Sequence, residues 1–186
     1  MLKSDSSFKE AIGAFVIAFS EFEYGLVFLC AMTDFDLLRH ENYIVKYLGF
    51  PFEKKLRHLT EFISEYLKEL YPTWAKIKEE IEQINTERRF LVHGFVMYTI
   101  PREKITTHVK IGSRVLAREH TVKDIRKLTI RLQHLNTGKN GIRGEFQTLF
   151  ISLRFNKWNL LVNDEFKLVY ENNGITLTDW KGKKKK

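Results

Sequence analysis

FKEAIGAFVIAFSEFEYGLVFLCAM, residues Phe8 to Met32, is the stretch that decides the fold class. Phe8, Ile12, Phe15, Phe19, Phe22, Leu26 and Leu29 recur at spacings of four and three, which puts them on one face of a long α-helix. Val16, Ile17 and Phe28 widen that face, so the helix is expected at the centre of a bundle. Ser6 or Ser7 is expected to cap its start, and its end is expected between Thr33 and Asp36. By length the stretch is also the one membrane candidate. Glu21 and Glu23 stand near its middle, however, where lipid would penalise each by about 2 to 4 kcal/mol. Asp5 and Glu10 likewise spoil the basic flank of a secretory leader. A core helix of a protein outside the membrane is the expectation.

The same spacing recurs downstream. Phe52, Leu56, Leu59, Ile63, Tyr66 and Leu70 define a second helix, with Pro72 punctuating its end. A third begins near Thr73 and carries Trp74, Ile77, Ile81, Ile84, Leu91 and Phe95, with Arg88 standing where an apolar residue is due. Gly94 is the candidate C-terminal cap. Phe15, Phe19, Phe22, Ile81 and Ile84 are expected in one core, because they lie on matched faces of the first and third helices. From Phe95 to His120 the period shifts toward two, which predicts a small antiparallel meander or hairpin. Thr121 to Asp124 reads as a helix start, followed by the apolar positions Ile125, Leu128, Leu132 and Leu135.

Past the glycines at 138, 141 and 144, the run from Phe146 to Phe155 suits either a helix or a strand. Phe166 to Tyr170 and Ile175 to Trp180 flank Asn172-Asn173-Gly174, a hairpin signal. The expected class is mainly α: an up-and-down bundle of four to five helices with a β excursion at about 95–120 and a C-terminal β-hairpin. The bundle is expected over residues 1–137, an extension packed on it over 138–180, and a basic tail over 181–186.

Composition narrows the partner. The net charge is +8, which favours a polyanion, but removing the five lysines of the tail leaves about +3. Cys30 is the only cysteine, so neither an internal disulfide nor a thiolate zinc site is available, and a reducing, cytoplasmic setting is expected. No P-loop, dinucleotide fingerprint or nucleophile elbow occurs, and no Glu-x-x-His pair of the di-iron bundles. His58 and Glu61 share a helical face. His40, His108, His120 and His134 are scattered, and no metal or cofactor is expected.

Arg88-Arg89-Phe90-Leu91-Val92-His93, followed by Gly94, is an arginine, four intervening residues and a histidine at a helix end. With the preceding Ile84 and Asn85, the helix order and the β excursion, this resembles the signature of the HEPN superfamily over roughly the first 135 residues. The resemblance implies an up-and-down bundle, a homodimer with motifs facing across one cleft, and metal-independent RNA endonuclease activity. Such enzymes commonly serve as toxins or in phage defence, with an antitoxin or another partner protein as a further expected contact. It also implies catalytic roles for Arg88 and His93 and an assisting, substrate-binding role for Arg89. The family most often has Asn, Asp or His where this chain has Arg89, so a non-catalytic module binding RNA, a nucleotide or a partner protein is the alternative.

The residue chemistry agrees with the first reading. Cutting RNA without a metal requires deprotonating a 2′-hydroxyl and stabilising charge on phosphate. Histidine exchanges protons near neutral pH and arginine donates paired hydrogen bonds to phosphate oxygens. Arg89 and His93 are one helical turn apart, whereas Arg88 lies about 140° around from His93. A joint site therefore needs a frayed helix end or a second chain. In a purely structural role, Arg88 would be a buried cation paired with Glu21 or Glu23.

Overall fold

The computed structural model describes residues 3–33, 44–98, 103–161, 167–171 and 174–178. In chain order these form α1 (Lys3–Met32), the single turn α2 (Val45–Leu48), α3 (Phe52–Tyr66), a 3-10 turn (Lys68–Leu70) and α4 (Tyr71–His93). Strands β1 (Phe95–Tyr98), β2 (Ile105–Ile111) and β3 (Arg114–His120) follow, then α5 (Val122–Thr137), α6 (Glu145–Leu161), β4 (Lys167–Glu171) and β5 (Gly174–Thr178). The molecule is mainly helical with a small antiparallel excursion, as the periodicities predict.

α1 is the central element, lying against α5, α3 and α4. Phe15, Phe22, Leu26 and Leu29 are fully excluded from water, and Phe19, Ile81 and Ile84 join them in one continuous core. Val16 and Ile17 do not widen this face: they are 37% and 63% exposed. The buried arc is completed instead by Ala11 and Ala18, small residues that let neighbouring helices approach. Gly25 serves the same end, because a Cβ there would sit 2.9 Å from Ile142 Cδ1. The expected serine cap is absent, since α1 is already helical at Lys3 and both Ser6 and Ser7 lie inside it.

α3 ends sooner than its apolar spacing suggests, leaving Tyr66 exposed, and a 3-10 turn carries the chain into α4. Pro72 opens α4 instead of merely closing the helix before it. It occupies the first turn, where its missing N–H has no helical partner to lose. Trp74 is fully buried, and its indole N–H donates to Thr60 Oγ1 at 3.0 Å. α6 resolves the ambiguity over Phe146 to Phe155 in favour of helix. Phe146 and Phe150, one turn apart, pack on Trp74 at 5.8 Å and Phe62 at 5.9 Å between ring centroids.

The excursion is a meander of order β1-β2-β3, and β4 pairs with β5 as the expected terminal hairpin. Ile111 pairs with Arg114, so Gly112 and Ser113 make a two-residue turn, and Gly112 supplies the positive φ of 61° that the turn requires. Ile105, Thr107 and His120 are buried, while Phe95 is 73% exposed. Phe95 was expected on the buried stripe of the third helix. The helix stops at His93, and the shift to strand geometry turns the ring outward. α5 starts where predicted, and it does so with a capping box: Thr121 Oγ1 accepts from the Asp124 N–H, and Asp124 Oδ2 accepts from the Thr121 N–H, each at 3.1 Å.

Candidate functional site

The last two turns of α4 divide the motif between two environments. The helix remains regular through His93, so no frayed end brings Arg88 and His93 together within one chain. Gly94 then closes it, donating its N–H to the Phe90 carbonyl at 3.1 Å. Its backbone is extended, with φ of −78° and ψ of 148°, so glycine is needed here for space and not for handedness. A Cβ would collide with the Phe90 carbonyl oxygen and approach Thr107 Cβ at 3.2 Å.

Arg88 is half-buried. Its guanidinium lies over the rings of Phe19 and Phe52, 4.6 and 5.9 Å from their centroids, and its Nε donates to Asn85 Oδ1 at 3.0 Å. Neither Nη group is engaged by a described residue. Asn85 is itself buried and donates through Nδ2 to Glu53 Oε1 at 3.4 Å, a long contact, while Arg89 Nη2 donates to the same oxygen at 2.7 Å. Glu53 is held below the ordinary carboxylate range, first by a hydrogen bond from its own main-chain N–H. Burial opposes this as the next largest effect, and Arg89 and then Asn85 add to the lowering. Arg88, Asn85, Glu53 and Arg89 therefore form one polar chain across α4 and α3.

The carboxylates expected to serve Arg88 lie elsewhere. Glu23 is bridged at 2.6 Å by Lys55, whose side chain is almost completely buried between α1 and α3. Glu21 is exposed and makes no ion pair among the described residues. His93 is exposed in the final turn with no hydrogen-bond partner among the described residues, and Arg89 precedes it by one turn on the same side of α4.

A different polar cluster seats the sheet on α4. Glu87 pairs with Arg118, and His120 Nδ1 approaches it at 3.9 Å. Arg118 also lies 5.0 Å from the centroid of Phe90. Burial, and then the Arg118 charge, push the His120 imidazole below its ordinary range, so it sits there neutral at physiological pH. Its Nε2 is buried without a partner among the described residues.

Beside Arg89 runs a groove of about 580 Å³ between α3 and α4, lined by Glu53, Arg57, Lys78, Glu82, Asn85 and Arg89 among others. Its charges are balanced. Among the described residues, no group of three or more His, Cys, Asp or Glu side chains is placed to hold a metal ion. The sequence reading missed Glu53 as a site neighbour, because no local spacing links it to Asn85 or Arg89, 32 and 36 residues away. No protein-family model, curated protein or solved structure matches the chain.

Proposed function

We propose that the chain is a metal-independent endoribonuclease of HEPN type that acts as a homodimer. The observation carrying this reading is the end of α4: a half-buried Arg88 with both Nη groups uncommitted, Arg89 beside it, and an exposed His93 one turn on. Arg88 is already held by two rings and an amide, so it reaches a phosphate with little further ordering. In the reaction the 2′-oxygen attacks phosphorus, the 5′-oxygen leaves, one proton departs the 2′-hydroxyl and another reaches the 5′-oxygen. Because α4 holds His93 about 140° from Arg88, the two act on one phosphate when they come from facing chains. A dimer then also supplies two imidazoles for the two proton transfers. By analogy, the role is that of a cytoplasmic toxin or phage-defence effector, restrained by an antitoxin or other partner protein.

Purified protein with EDTA present should cut RNA and leave a 2′,3′-cyclic phosphate, and a 2′-deoxy sugar at the scissile position should block cleavage. His93→Ala should lower the rate about 100- to 10,000-fold with RNA binding largely kept. Arg88→Ala should lower both. The Arg89–Glu53 pair favours one rival, a non-catalytic module, since it commits Arg89 to a carboxylate and away from the charge that develops on the phosphate during cleavage. If wild-type protein binds RNA but never cuts it, the chain is a non-catalytic RNA-binding module; if His93→Ala cuts at the wild-type rate, His93 is not a proton-transfer group and this mechanism fails.

A further inference from the structure

On the far side of α3 from the balanced groove lies a second cavity of about 230 Å³, between α2 and α3. Its described lining includes Lys54 and Arg57, neither paired with a described carboxylate, and Glu61. The groove toward α4 sets Arg57, Lys78 and Arg89 against Glu53, Glu61 and Glu82. Arg57 and Glu61 line both cavities, so they form the crest of α3 over which the two communicate.

The walls of the smaller cavity are rigid and aromatic. Thr33 Oγ1 donates its single hydrogen to the Cys30 carbonyl at 2.7 Å, so its 2.6 Å contact with His58 Nε2 requires that nitrogen to carry the proton. The imidazole is thereby fixed, edge-on to Phe50 at 86° and 5.3 Å from the Tyr47 centroid. Lys54 Nζ lies 3.8 Å from the Phe50 ring centroid. No described carboxylate pairs with Lys54 or Arg57, whereas Arg89 is held by Glu53 and Arg131 by Glu80. Two cations without a described carboxylate partner, beside an aromatic floor, suit a phosphate flanked by a base or sugar.

We infer that the α2–α3 cavity is a phosphate subsite for an RNA strand that leaves the motif at Arg89 and crosses α3 at Arg57. This rests on the proposed RNA-directed function and adds to it the path of the substrate. Glu53 and Glu82 disfavour the groove toward α4 as the resting place of the backbone, and Lys54, which lines the cavity and not the groove, favours the cavity.

The test is the binding of a fluorescent single-stranded oligoribonucleotide by the full chain over a salt series. Three proteins are compared: wild type, Lys54→Gln with Arg57→Gln, and a charge-matched control, Lys123→Gln with Arg126→Gln on α5. All four residues are exposed, and thermal melts confirm folding. The cavity variant should bind about tenfold more weakly at low salt, and its slope of log affinity against log salt should be shallower by about 1.4, two phosphate contacts' worth. The control should change little. Equal losses in both variants, or no loss in the cavity variant while wild type binds, overturns the subsite and leaves the RNA-directed reading standing. If wild type binds no RNA, that reading falls and the subsite with it. Loss of ATP binding in the cavity variant with RNA binding unchanged overturns the strand assignment in favour of a free nucleotide.

Discussion

Arg88 and His93 lie on the same helix, five residues apart, yet differ in almost every physical respect. Arg88 is half-buried, pressed on Phe19 and Phe52 and bonded to Asn85, so it belongs to the core as much as to any site. His93 is exposed with no described hydrogen-bond partner. A motif defined by spacing thus unites a residue the fold depends on with one it does not. Variants at the two positions will therefore report different things: a loss of the proposed activity at Arg88 would mix folding with function, whereas a loss at His93 would isolate function.

The largest effect is expected beneath Arg88. Phe19 is 3% exposed, lies 5.1 Å from the Phe52 centroid and forms the nearer floor of the guanidinium. Phe19→Ala should cost about 3 to 5 kcal/mol, measured by denaturant unfolding. A loss below about 1 kcal/mol would mean that the aromatic cradle is not part of the core, and the contrast with His93 would collapse.

Next comes the direct comparison. Arg88→Ala removes a ring contact worth about 0.5 to 2 kcal/mol. It also strands the carbonyl of buried Asn85, at about 1 to 3 kcal/mol, for a loss on the order of 2 kcal/mol. His93→Ala, on the surface, should fall within about 0.5 kcal/mol of wild type. Equal stability of the two variants would break the distinction, while Arg88→Lys, which keeps the charge without the Nε bond, should fall between them.

The sequence reveals much more of the fold than of these surroundings. Apolar spacing locates α1, α3, α4 and α5 because a helix face repeats locally, and the alternation after Phe95 locates the meander. Where the reading fails, spacing lacks direction or an end point. Val16 and Ile17 are apolar but face outward, and Phe95 continues a helical stripe beyond the end of the helix. Arg88 is conspicuous as a charge in an apolar stripe, and α1 does carry a carboxylate that pairs with a cation. That cation is Lys55, because the choice between two cations on neighbouring helices depends on helix rotation, which no local pattern records. Glu53 and the α2–α3 cavity are invisible for the same reason, since each joins residues from separate turns of the bundle.

The smallest expected effect concerns the far end of the polar chain. Arg89 and Glu53 form a close pair, but their side chains are 49% and 58% exposed. A double-mutant cycle with Arg89→Ala and Glu53→Ala should give a coupling of only about 0.2 to 1 kcal/mol. Its pH dependence has a definite sign. The folded Glu53 carboxyl lies below its ordinary value of 4.5, chiefly through its own main-chain N–H and then through Arg89. Between the folded value and 4.5 the unfolded chain therefore holds more protons than the native one. The stabilisation is complete above 4.5 and is lost as pH falls through the folded value. Glu53→Gln should thus differ most from wild type near neutrality and converge with it in acid. Arg89→Ala should shift the Glu53 titration, followed by carboxyl NMR, only partly back toward 4.5, because the main-chain hydrogen bond remains. A full return to 4.5 would make Arg89 the dominant anchor of Glu53, binding the exposed half of the motif to the fold almost as firmly as Arg88 is bound.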